Sequence, residues 1–276
     1  MVMAVEFDLL INAVSETNGV MSVGKSGGES FSAADDGDID IFIFCAKIPG
    51  PMARTELLHG LWPAVTDIKI SENGGRFWGV CDFLTLGGSG VCLMYFNISD
   101  MDAEIESVLN GSRLEREDEY FYPTGRCATF LTMNVLFDKI GYIAGMKEKL
   151  SVYPQPLSEK LYNHHLRKMY NYEDFERAVQ RGEVLFYHSV LENSIDHFLQ
   201  ALFALNKRFF PSRKRTLGFI EGFAVKPANC EERMLEAVEL GAKADSLKQS
   251  YGIWNALCDE LSGLAAETIE PPNIIC

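Results

Sequence analysis

Asp38-Ile39-Asp40-Ile41-Phe42-Ile43-Phe44 holds the residues best suited to chemistry in this 276-residue chain. The run reads as a β-strand. Side chains alternate along a strand, so Asp38 and Asp40 share one face and Ile39, Ile41 and Ile43 share the other. Two carboxylates about 7 Å apart on one strand face can share a hard cation. Mg²⁺ (or Mn²⁺) takes oxygen ligands and is commonly held by one or two carboxylates together with substrate phosphates. The plainer reading is an edge strand with two solvated acids. The aliphatic run weighs against it, because such a strand is normally buried on at least one face.

Upstream lies Gly24-Lys25-Ser26-Gly27-Gly28, joined to the strand by the acidic loop from Glu29 to Gly37. A small, glycine-rich turn lets backbone N–H groups and a Ser hydroxyl approach a phosphate closely. Gly19 to Ser26 also fits the P-loop pattern G-x-x-x-x-G-K-S. A P-loop needs a strand before it and a helix opening at its Lys-Ser. Here Val20 to Val23 reads as the strand itself and a polar loop follows, so that alternative is set aside.

A phosphate cradle, a short loop and Asp-x-Asp on a strand together resemble the polymerase-β-like nucleotidyltransferases. The family's usual form is Gly-Ser, a spacer, then Ser-Asp-Ile-Asp-Leu. In this chain the order is Ser26-Gly27 and Gly37 replaces the Ser, while Asp38-Ile39-Asp40 is intact. The resemblance implies Mg²⁺ on Asp38 and Asp40, and an NTP substrate held by Gly24, Ser26, Gly27 and Gly28. It also implies a third acid on a neighbouring strand. Gly90 to Phe96 resembles that strand, and Cys92 stands where the Asp would be. Three readings follow. The chain is a degenerate member that still binds nucleotide; another acid serves, with Asp82, Asp100 and Asp102 in range; or the alignment of the strand is shifted. A thiol is a poor Mg²⁺ ligand, so Cys92 itself is no substitute. For Asp82 the alternative is a plain hairpin residue.

The resemblance continues into the second half. Some of these domains are joined to a helical domain of unknown function, similar to this chain at Tyr153-Pro154, Leu202 to Asn206 and Phe209 to Lys214. Lys207, Arg208, Arg213, Lys214 and Arg215 form the one dense basic cluster. In an acidic protein such a cluster attracts a triphosphate. Lys214 is the expected phosphate contact, against the alternative of a solvated helix end.

The elements that must position these groups follow from pattern. Residues 1–18 read as a helix, 20–24 and 38–45 as strands, and Ala53 to Trp62 as a helix. Phe77 to Leu86 and Val91 to Asn97 read as strands joined by Gly87-Gly88-Ser89-Gly90, a hairpin signal. Asp100 to Leu109 reads as a helix. After Tyr153-Pro154-Gln155-Pro156, apolar residues recur at helical spacing. The expected fold class is α+β: a nucleotidyltransferase-like mixed β-sheet domain with flanking helices (1–152), then a helical C-terminal domain (153–276). Ligand is expected in a cleft between them.

A net charge of −14 disfavours nucleic acid, whose binding rests on Lys and Arg. The expected partners are a nucleotide and a small-molecule acceptor, with a homodimer by analogy. Seven scattered cysteines, no basic leader and no bilayer-length apolar run suit a cytoplasmic protein. Cys45, Cys81 and Cys92 are expected buried, and Trp62, Trp78 and Trp254 in the core. His164-His165, and His188 with His197, lack ligand spacing.

Overall fold

The computed structural model describes residues 2–26, 38–71, 78–116 and 121–268. The chain forms two compact units. One comprises Met1–Ser107 and Arg126–Val152; the other comprises Val108–Gly125 and Tyr153–Cys276. Residues 108–125, expected in the first domain, belong to the second.

The first unit holds α1 (Val2–Glu16), β1 (Val20–Lys25), β2 (Ile39–Cys45), α2 (Pro51–His59), β3 (Val65–Lys69), β4 (Val80–Leu86) and β5 (Ser89–Asn97). It continues with α3 (Ile98–Leu109), α4 (Gly125–Thr132), β6 (Asn134–Asp138) and α5 (Tyr142–Leu150). The six strands form one mixed sheet in the order β3-β4-β5-β2-β1-β6. β2 and β5 are parallel, and the other pairings are antiparallel. Gly87 and Gly88 make the two-residue β4–β5 turn with φ of +56° and +86°. Such turns need positive φ at both central residues, which glycine supplies without strain.

β2 is buried on both faces from Ile41 onward, and each face has its own core. On one side Ile41, Ile43, Cys45, Val91, Leu93 and Tyr95 cluster with Phe7, Leu10, Ile11 and Val14 of α1 and Leu58 of α2. This is the amphipathic packing that the period of α1 anticipates. On the other side Phe42, Phe44 and Phe96 stack with one another. Phe130 of α4 and Tyr142 of α5 cover Phe44 at 5.1 and 5.2 Å between ring centroids.

The second unit is helical: α6 (Gln155–Met169), α7 (Tyr172–Arg181), α8 (Val184–Leu205), α9 (Thr216–Glu221), α10 (Cys230–Leu240) and α11 (Leu247–Thr268). α8 packs on α6, α7 and α11. Trp254 of α11 donates its indole N–H to Ser194 Oγ of α8 at 2.7 Å, and Ser194 donates to the Met169 carbonyl at the end of α6. Segment 108–125 is fastened here by Tyr122, which donates to Asp196, and by Thr124, which donates to the Phe210 carbonyl at 3.0 Å. Trp254 is core as expected, but Trp62 is 69 % exposed and Trp78 44 %. Among the described residues no helix is long and apolar enough to cross a membrane.

Candidate functional site

The ladder between β2 and β5 fixes the site. Ile39 pairs with Val91, Asp40 with Cys92 and Ile41 with Leu93. Residues paired across a ladder share a face, so Asp40 and Cys92 lie on the aromatic face, opposite the α1 core. Asp38 immediately precedes β2 and Asp40 is its second residue, both ahead of the fully buried stretch. Asp38 rests against Gly90, where an added Cβ would overlap Asp38 Oδ1 and lie 3.1 Å from Cγ. The end of β1 reaches the same place: Ser26 N–H donates to the Asp40 carbonyl at 3.1 Å.

Lys25, where the helix of a P-loop would open, is instead the last residue of β1, so the P-loop alternative fails. Gly24 needs correction as a phosphate contact. It lies inside β1, and the space above its Cα is filled by the Met133 side chain. Lys25 is buried and pairs with Ile41, which puts it on the α1 side. Gly27 and Gly28 lie outside the described residues. Lys214 is an exposed residue of the helical unit, in the turn before α9, where its N–H donates to Ser212 Oγ at 3.2 Å. Its neighbour Arg213 pairs with Glu192.

The position opposite Asp40 on β5 is Cys92. The substitute acids are elsewhere. Asp82 pairs with Leu93, which puts its side chain on the α1 face, turned away from Asp40. It is fully buried as the counter-ion of Arg54, itself 1 % exposed, and accepts the Ser71 N–H at 3.1 Å. Burial pushes the Asp82 carboxyl up, while the Arg54 guanidinium and the Ser71 N–H pull it back. Arg54 spends its other donors on the Ser71 and Pro49 carbonyls. Asp82 is therefore a structural ion-pair residue, and its expected catalytic role is not supported. Asp100 and Asp102 follow the far end of β5, roughly 15–20 Å along the strand from Cys92. Asp102 accepts a hydrogen bond from Tyr142 Oη at 3.0 Å.

Cys92 has the Cys81 thiol beside it as well as the Asp40 and Asp38 carboxylates. Its thiol hydrogen-bonds Cys81 of β4, and that contact, then burial, pushes its pKa up. The same hydrogen bond lowers the Cys81 thiol, against the opposing pull of burial and of Asp82 and Asp40, and with help from Arg126. Arg126, in the first turn of α4, is 3 % exposed. Its guanidinium lies over Phe96 and Phe42, 4.7 and 5.2 Å from the ring centroids. Burial pulls it down to about 10, so it stays charged at neutral pH. Among the described residues no three His, Cys, Asp or Glu side chains converge to hold a metal.

Residues 122–215 match the family model described as DUF4037, a domain of unknown function. The crystal structure of a nucleotidyltransferase-like protein from Exiguobacterium sibiricum 255-15 aligns over 95 % of this chain and 75 % of that chain. The identity is 12 % and the TM-score 0.37. A search among curated proteins finds no match.

Three features escaped the sequence reading. Arg126 is a lone Arg in an unremarked segment, and only packing brings it over the Phe42 face. Cys81 and Cys92 carry no motif spacing, because a hairpin joins them. His165 and His197 lie on different helices and meet Nδ1 to Nδ1 at 2.9 Å.

Proposed function

We propose that the chain is a metal-dependent nucleotidyltransferase that passes a nucleoside monophosphate from an NTP to a hydroxyl of a small-molecule acceptor. The observation that carries this reading is the start of β2. Asp38 and Asp40 lie there, beside the end of β1, with Gly90 leaving room for the Asp38 carboxylate. Two carboxylates offer hard oxygen donors that fit Mg²⁺ or Mn²⁺, whereas the Cys92 thiol does not. Bound by Asp38 and Asp40, the ion would neutralise charge on the phosphates of the NTP. In this reading Ser26, with Gly27 and Gly28, orients the phosphates through hydroxyl and backbone N–H groups. Asp38→Asn and Asp40→Asn are each expected to abolish Mg²⁺-dependent nucleotide binding and turnover while leaving the melting temperature near wild type. Full activity in either variant would place the site elsewhere.

A second reading has its own support: a nucleotide-binding protein that has lost transfer. Cys92 pairs with Asp40 in register, so the strand partner that would supply a third carboxylate supplies a thiol. Cys92→Asp separates the two readings. A gain of transferase activity means a degenerate site. No gain, in a protein already active as wild type, means that two carboxylates suffice.

A further inference from the structure

Two thiols share the face that carries Asp40. Phe83 pairs with Cys92, and Cys81, two residues earlier on β4, pairs with Met94. Cys81 and Cys92 are therefore diagonal neighbours on one side of the hairpin. Their sulfurs are in hydrogen-bond contact, and the Cys81 thiol also reaches the Trp78 carbonyl at 3.0 Å. The two differ in access: Cys81 is partly exposed and Cys92 is 7 % exposed. The other described cysteines, Cys45, Cys127, Cys230 and Cys258, are all buried. An accessible thiol with a second, sheltered thiol in contact is the arrangement of an attacking and a resolving cysteine.

We propose that Cys81 and Cys92 are an oxidant-sensitive pair, in which a hydroperoxide closes a Cys81–Cys92 disulfide that withdraws nucleotide binding from Asp38 and Asp40. The second half of this statement rests on the reading of the two carboxylates as a metal–nucleotide site. In the first step the Cys81 thiolate attacks one peroxide oxygen. The S–O bond forms and the O–O bond breaks. Sulfur is oxidised to the sulfenic acid, and the departing oxygen leaves as water after taking a proton. In the second step the Cys92 sulfur attacks the Cys81 sulfur. The S–S bond forms, the S–O bond breaks, and hydroxide leaves as a second water with the Cys92 proton. One hydrogen peroxide thus consumes two thiols and yields one disulfide and two waters. Closing the bond draws β4 and β5 together at the residue paired with Asp40. It does so two residues from Gly90, on which Asp38 rests.

The test treats the full chain with a small excess of hydrogen peroxide, then alkylates, maps the peptides, and titrates Mg²⁺ and a non-hydrolysable NTP analogue before and after dithiothreitol. The expected result is a Cys81–Cys92 linked peptide, an affinity loss of at least tenfold, and recovery on reduction. Cys81→Ser and Cys92→Ser should each form no linked peptide and keep their affinity under peroxide. Alkylatable Cys81 and Cys92 after treatment, or a linked peptide with unchanged affinity, would overturn the proposal. Should the reduced protein bind no nucleotide, the transferase reading fails and the map alone decides whether the thiol pair is real.

Discussion

Asp38 owes its position to a missing side chain. Gly90 has an ordinary backbone conformation, so its need for glycine comes from the carboxylate seated on it. An Ala there introduces no backbone strain but must displace Asp38, a few tenths of an ångström being far too little to clear the overlap. Gly90→Ala is predicted to weaken Mg²⁺-dependent nucleotide binding at least tenfold, with a melting temperature within a few degrees of wild type. Calorimetric titration beside a thermal scan checks this, and unchanged affinity would remove Asp38 from the ligand set. Asp82 shows the opposite limit of residue-level reading. Its type and its place on the hairpin strand before β5 qualify it as a third acid. Strand parity sends it to the other face, where Arg54 already occupies it. Residue type was legible in the sequence; parity on β4 depended on the pairing register, which no spacing within the strand encodes.

Among the elements, the α6–α8 pairing carries a titratable contact. His165 Nδ1 and His197 Nδ1 are 2.9 Å apart, a distance that works only if one ring donates and the other accepts. Protonating both puts N–H against N–H. Burial, with His197 and His164 nearby, lowers His165 to about 3. Burial, with Lys168, His164 and Arg116 nearby, lowers His197 to about 4. Both folded-state values lie below the ordinary 6.5, so the unfolded chain binds more protons between them. Stability is then full above about pH 6.5 and falls as pH drops toward 4, by up to about 1.4 kcal/mol per pH unit for each histidine. Thermal unfolding of the helical unit, followed by fluorescence of the buried Trp254, should show a midpoint falling over that window. In His197→Asn the fall should be shallower; an identical pH profile would mean the contact does not govern it. The helices themselves were readable because their apolar residues recur at a steady period. α2 begins at Pro51, earlier than expected, since proline suits the first turn of a helix, where its missing N–H costs nothing. β3 and β6, five residues each and at the sheet edges, have too few buried positions to give a pattern.

Across the whole molecule, the α+β class and the order of sheet before helices were legible, because the shift from strand alternation to helical period is abrupt after Pro156. The return of residues 108–125 to the helical unit was not. Its ties are the Tyr122 hydroxyl on buried Asp196, Arg116 on the same carboxylate and Thr124 on the Phe210 carbonyl, contacts between residues about 70 to 90 positions apart. Such contacts leave no local periodicity. The family match over residues 122–215 spans this same tie, joining the end of that segment to the turn that holds Lys214. The chain's −14 charge gives the account a second molecule-wide consequence: a polyanionic nucleotide needs a cation to approach two carboxylates in an acidic protein. The most direct measurement is therefore calorimetric titration of the reduced, full-length protein with a non-hydrolysable ATP or GTP analogue, with and without Mg²⁺. The account predicts saturable binding that requires Mg²⁺ and disappears in Asp40→Asn. Absence of binding to either nucleotide with Mg²⁺ present, or binding that survives Asp40→Asn unchanged, would contradict it.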